Sequence, residues 1–203
     1  MQARVRRRQR AVACALLALL VASAAVVGCQ RPPSDGPPMP FEDEGACPFE
    51  NCRYGEWTVE AGVAVKTDRW IGAPVLFRLR KGDRAAIPSG VVVTHRPGRV
   101  RFRKAVDVST STGSLRVEPG ETLYLLTSHG GGVTTVWFKG RVYRDVKDSD
   151  LFSPACERSP EACNATLLAK PLHGWWVQVR NAKGLVGWTN EPQKFGRQNA
   201  LGS

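Results

Sequence analysis

The chain has 203 residues, 29 of them Lys or Arg and 18 Asp or Glu, for a formal charge of +11. Five of the basic residues (Arg4, Arg6, Arg7, Arg8, Arg10) lie within the first ten positions, and from residue 29 onward the balance is 24 to 18, only +6. That mild surplus excludes the strong basic footprint of a nucleic-acid binder, and the length allows one large or two small domains.

The arginine-rich start is followed by an uncharged apolar run from Ala11 to Val27. This is the order of a secretory signal. The run ends in Val26-Val27-Gly28-Cys29, which resembles a bacterial lipobox. The resemblance implies a signal peptide over 1–28, cleavage before Cys29 and lipidation of its thiol. An uncleaved membrane helix is the alternative. At 17 residues the run is near the lower limit for spanning, and its Ala-rich end in Gly-Cys suits processing better. A lipid on Cys29 changes the expectation from spanning the membrane to being anchored to it. Gln30 in place of Asp implies, by the same resemblance, the outer membrane of a Gram-negative cell, with the protein facing the periplasm.

Residues 29–46 read as a linker. Five of the ten residues from Arg31 to Pro40 are proline, a composition that stays extended at about 3.1 Å per residue and spans roughly 30 Å. The other reading is a disordered leader with no spacing role. Beyond Cys14 and Cys29, four cysteines remain in two close pairs, Cys47/Cys52 and Cys156/Cys163. An even number in an oxidising compartment points to disulfides. Three connectivities are open, and local pairing is the simplest. A zinc site is disfavoured by the wide C-x4-C and C-x6-C spacings.

From Trp57 onward the chain reads as strands. The runs VVVTH, RVRFRKAVDV, TLYLL, VTTVWF and WWVQVR are β-branched or aromatic, and RPG, EPG, HGGG and NAKG punctuate them. No helical period is evident, so the expected class is all-β. One element recurs. Leu79-Arg80-Lys81-Gly82-Asp83 precedes the strand Arg84–Ile87, and Val117-Glu118-Pro119-Gly120-Glu121 precedes the strand Thr122–Leu125. The glycine suits a turn that needs positive φ. Two copies suggest two similar β units, placed at 47–105 and 106–203.

The C-terminal segment Gly174-Trp175-Trp176-Val177-Gln178-Val179-Arg180, the turn Asn181–Gly184 and the closing Leu185-Val186-Gly187-Trp188 resemble the end of a bacterial SH3 domain (SH3b). The Gly–acid turns resemble an earlier hairpin of that family. Cys47 to Trp57 resembles the opening of some SH3-like bacterial lipoproteins. The resemblance covers about residues 55–192 and implies two small SH3-like barrels in tandem after the linker. Two departures stand out. A disulfide-bearing insertion at 145–170 interrupts the second unit, and the first lacks a Gly-Trp closing strand, with Gly98–Phe102 standing in its place.

Alternation sends neighbouring strand residues to opposite faces. Trp175, Val177 and Val179 are therefore expected inward, and Trp176, Gln178 and Arg180 outward, where a tryptophan beside hydrogen-bonding groups suits a peptide or sugar. The alternative is that Trp176 packs beneath the insertion or against the other unit. Arg99, Arg101 and Arg103 fall on one face of their strand, a positive stripe suited to lipid headgroups, phosphates or wall carboxylates; the alternative is a solvated outer face. His95, His129 and His173 have no metal-ligand spacing, and Asp145, Asp148 and Asp150 lack the glycine and distal glutamate of a calcium loop. No metal, cofactor or catalytic set is expected. The resulting expectation is a non-enzymatic, lipid-anchored envelope module that docks on peptidoglycan or another envelope component. The alternative is a non-catalytic scaffold subunit of a periplasmic or outer-membrane complex. Neither involves nucleic acid.

Overall fold

The structure, a computed structural model, describes residues 36–151, 159 and 163–198. The signal segment, Cys29 and Cys156 lie outside these residues. The described fold is all-β, with one short α-helix and one 3-10 turn, Pro192–Lys194, and every strand pairing is antiparallel.

The first sheet holds β1 (Phe41–Glu44), β2 (Gly55–Val59), β3 (Val63–Lys66), β4 (Val75–Leu79), β5 (Arg84–Ile87) and β6 (Gly90–Arg96), and later β14 (Leu172–Arg180), β15 (Val186–Thr189) and β16 (Phe195–Gly196). Its main path runs β16-β2-β5-β14-β15-β3-β4, with β6 bridging β1 and β14. The second sheet, β12-β11-β10-β7-β13, is built from β7 (Gly98–Phe102), β10 (Thr122–Ser128), β11 (Val133–Phe138), β12 (Arg141–Lys147) and β13 (Ala165–Ala169). A hairpin of β8 (Val106–Thr110) and β9 (Gly113–Val117) and the helix α1 (Asp148–Leu151) complete it. None of the sheets closes into a barrel.

Sheet membership does not follow chain order. The strands from β7 to β13 lie between β6 and β14, which are themselves partners. One core therefore joins both ends of the chain: Trp57, Val59, Val63, Val65, Ile87, Val177, Val179 and Phe195. A second core is local to residues 100–165, with Val100, Phe102, Val108, Leu123, Phe138 and Leu151 among its members. The division expected at residues 105 and 106 falls between β7 and β8, whose Val100, Phe102 and Val108 share that second core.

The two sheets nevertheless repeat one plan. Leaving aside β1 and β6, which lie off the main path, the last strand of each pairs with the first (β16 with β2, β13 with β7), and the first pairs with the strand after the Gly–acid turn (β5, β10). Two further strands follow in the same order. The next pair, β3–β4 or β8–β9, lies beside the last of them, β8 through the Ser111 N–H donated to the Arg144 carbonyl (3.1 Å). The hydrogen bonds repeat as well. Gly82 N–H donates to Val59 O, and Gly120 N–H to Phe102 O, both at 2.8 Å. Val59 and Phe102 donate back to Asp83 O and Glu121 O, at 2.9 and 3.0 Å. The Asp83 and Glu121 carboxylates each accept the N–H three residues earlier, from Arg80 (2.7 Å) and Glu118 (2.8 Å). The glycines sit at φ +91° and +86°, where a Cβ is strained. The echo in the sequence is one local structure used twice.

The end of the expected linker is ordered. β1 pairs with β6 in register from Phe41↔Thr94 to Glu44↔Val91. Cys47 and Cys52 form a disulfide with Cα atoms 5.6 Å apart. Cys163 is also disulfide-bonded, its partner lying outside the described residues.

Candidate functional site

On β7 the expected alternation holds. Val100 and Phe102 are buried, while Arg99, Arg101 and Arg103 are exposed. β7 lies between β10 and β13, so neighbouring side chains extend the exposed face. Arg99 lies opposite Tyr124, Tyr124 opposite Trp137, and Trp137 opposite Val142. Arg101 lies opposite Thr122 on one side and Thr166 on the other, and Arg103 Nε donates to Thr166 Oγ1 at 2.8 Å. A row of cation, two aromatic rings and an aliphatic side chain thus crosses the sheet.

Beside it lies a groove of about 380 Å³, lined by Arg101, Thr122, Tyr124, Glu121 and Lys139 among others. Lys139 pairs with Glu121 at 2.6 Å and its ammonium stands 4.9 Å from the Phe138 ring centre. The Glu118 N–H and Lys139 hold the Glu121 carboxyl below its ordinary range. The rim is thus one free-ended cation, one neutralised pair and a phenol. Gly36 borders it: a Cβ there would lie 3.7 Å from the Tyr124 ring.

The second expected site is not assembled. Trp175, Val177 and Val179 do face the first core, and Gln178 and Arg180 are half-buried and exposed. Trp176, however, is only 5% exposed and packs with Val91, Val93 and Trp188. The outward tryptophan is corrected here to a buried one. β6 lies alongside, with Val91 directly opposite Trp176, so the outer face of β14 is itself a small core. Over it, Arg69 stands 5.1 Å above the Trp188 ring.

A residue missed by sequence is Asp43, only 1% exposed although it lies in the acidic run Phe41-Glu42-Asp43-Glu44. Its Oδ1 accepts Arg144 at 2.6 Å, joining β1 to β12, and its Oδ2 lies 3.4 Å from His129 Nε2. That nitrogen also lies 2.7 Å from Thr135 Oγ1, so the imidazole acts on Oδ2 as a nearby dipole or charge rather than through a formed hydrogen bond. Burial pushes the Asp43 carboxyl up, but His129, Arg144 and Thr127 outweigh it and hold it at about 2. The geometry is that of a clasp. The carboxylate and the threonine hydroxyl compete for one imidazole nitrogen, whereas an acid–base relay needs them on opposite nitrogens. Asp148 and Asp150 likewise have structural partners, accepting Thr134 Oγ1 and Ser109 N–H at 2.7 Å each.

Compared with known proteins, the chain matches no family model, no curated protein and no solved structure.

Proposed function

We propose that this protein is a non-catalytic binding module, lipid-anchored through Cys29 to the bacterial cell envelope, that docks on peptidoglycan or a similar anionic envelope polymer. In this reading the two β units are SH3-like and nested, the second inserted between β6 and β14 of the first. The shared strand order and the duplicated Gly–acid turn support two related units. The outer-membrane, periplasm-facing location rests on the lipobox-like segment and Gln30.

The observation that carries the binding proposal is the exposed line of Arg99, Arg101 and Arg103 with Tyr124 and Trp137 completing the row. Guanidinium forks match carboxylates of wall stem peptides bidentately, and aromatic rings offer flat apolar area beside them. The test is co-sedimentation with purified sacculi at low and high salt, comparing the protein with an R99E/R101E variant. Saturable pelleting that the variant loses supports the site. Salt-sensitive pelleting alone means charge attraction without a groove. Equal pelleting of variant and parent refutes the proposal.

A further inference from the structure

The loop between β3 and β4 carries the most exposed large apolar side chains described: Ile71 is 74% exposed and Trp70 57%. The loop itself is firmly held. Thr67 N–H donates to Pro74 O (2.9 Å) and Ala73 N–H to Trp70 O (3.1 Å). Lys66 Nζ donates to the Ile71 carbonyl. The Trp70 ring lies over Gly72, where a Cβ would fall 1.9 Å from it. Two apolar side chains are therefore displayed on a fixed tip. Apolar surface continues behind them through Val75 and Leu76 of β4 and Val186 of β15, with Leu76 close to Gly187.

The position of this tip relative to the incoming chain suggests its occupant. Arg69, next to Trp70, binds Glu42 at 2.8 Å and Glu44 at 2.6 Å. Both glutamates belong to β1, the first strand after the proline-rich segment. Cys29 lies 12 residues before Phe41, a reach of at most about 40 Å even when extended. The tip is thus fastened to the end of the tether. Glu42, Glu44 and the neighbouring Asp68 outnumber Arg69 and Lys66 there, and the Lys66 ammonium is turned onto the Ile71 carbonyl, so what the tip displays is apolar surface without net positive charge. An exposed tryptophan with an aliphatic neighbour is the chemistry of a bilayer interface, where the ring sits at headgroup level and the aliphatic chain enters the acyl boundary. Several acyl chains on Cys29 would already anchor the chain stably, so a contact at the tip would set how the first unit lies against the bilayer.

We propose that Trp70 and Ile71 form a membrane-interface contact that works alongside the lipid on Cys29. The proposal rests on the lipid-anchor reading. The full chain, isolated with its native modification, is reconstituted in phosphatidylethanolamine/phosphatidylglycerol vesicles carrying brominated acyl chains. Tryptophan emission is compared between the protein and a W70F variant, and vesicle partitioning is measured for C29S with and without I71D, both made without residues 1–28 so that no unprocessed apolar segment binds in their place. Bromine is expected to quench a component of emission that W70F lacks, and I71D to weaken partitioning of the C29S chain by about tenfold or more, the scale of one buried aliphatic side chain. Equal quenching of parent and W70F overturns the contact. If C29S binds vesicles as tightly as the parent, the anchor reading fails instead, while the Trp70 quenching still decides the hairpin.

Discussion

Replacing Asp43 by Asn tests whether the clasp between β1 and β12 holds the two sheets together. The carboxyl titrates at about 2 in the folded protein against an ordinary value of 3.8. A depressed folded value means the stabilisation is complete above the unfolded value and is lost as pH falls through the folded one. The difference corresponds to about 2 kcal/mol. Arg144 is about half exposed, so water screens part of its attraction, and about 1–2 kcal/mol is the working figure. Near neutral pH, D43N is therefore expected to melt roughly 2–8 °C lower than the parent. Between pH 5 and pH 2 the gap should close, because the parent's carboxylate is protonated while the amide does not titrate. Comparing the two proteins cancels the other carboxylates. Urea unfolding followed by tryptophan emission at several pH values reads both quantities. A D43N protein as stable as the parent at pH 7, or a gap that stays constant down to pH 2, would refute the clasp.

Trp176→Ala is expected to cost about 3–5 kcal/mol of stability, the range for emptying a buried aromatic site. Sacculus pelleting should be unchanged under conditions where the variant stays folded; a stable variant with lost binding would restore the outward reading. Gly82→Ala and Gly120→Ala should each destabilise by roughly 1–2 kcal/mol, because both positions need left-handed backbone, and similar losses at the two sites would match the duplicated turn.

Much of the local structure was legible because it depends on near neighbours. The alternation of Arg99, Val100, Arg101 and Phe102 gave the exposed stripe, and the inward set on β14 followed from the same rule. The Gly–acid turn is readable twice because its glycine and its carboxylate, which accepts the N–H three residues earlier, lie within a few residues, although the backbone bonds to Val59 and Phe102 reach a distant strand. The misses came from distant partners. Trp176 is buried by Val91 and Val93, which sit in the run Val91-Val92-Val93; a continuous apolar run has no period, and so gives no sign that both its faces are covered. Asp43 sits among residues that read as a solvated acidic stretch. Its meaning depends on Arg144, about a hundred residues away, and nothing local marks that pairing. The closing Gly187-Trp188 strand follows the second unit in sequence, whereas in the fold β15 pairs with β3 of the first.

The nested connectivity makes one more demand on the molecule. Arg96 and Leu172 are partners in the β6–β14 ladder, so the chain leaves the first unit and returns to it at points about 5 Å apart. Residues 97–171 can then be replaced by a two-residue Asn-Gly turn, the preferred closure of such a hairpin. Every buried residue of the first core lies outside the deleted segment. The losses include the Arg144 contact with Asp43, with His129 and Thr127 beside the same carboxylate, and the bond from Thr94 Oγ1 to Leu126 O, the two bonds costing about 1–3 kcal/mol each. The shortened protein is expected to unfold cooperatively, with a lower midpoint. It should keep the near-ultraviolet dichroism of the Trp57–Trp175–Phe195 aromatic cluster. A shortened chain with no cooperative transition and no aromatic dichroism would mean that the inserted strands are needed to form the first core. The two sheets would then be one folding unit that shares a plan, rather than one unit set inside another.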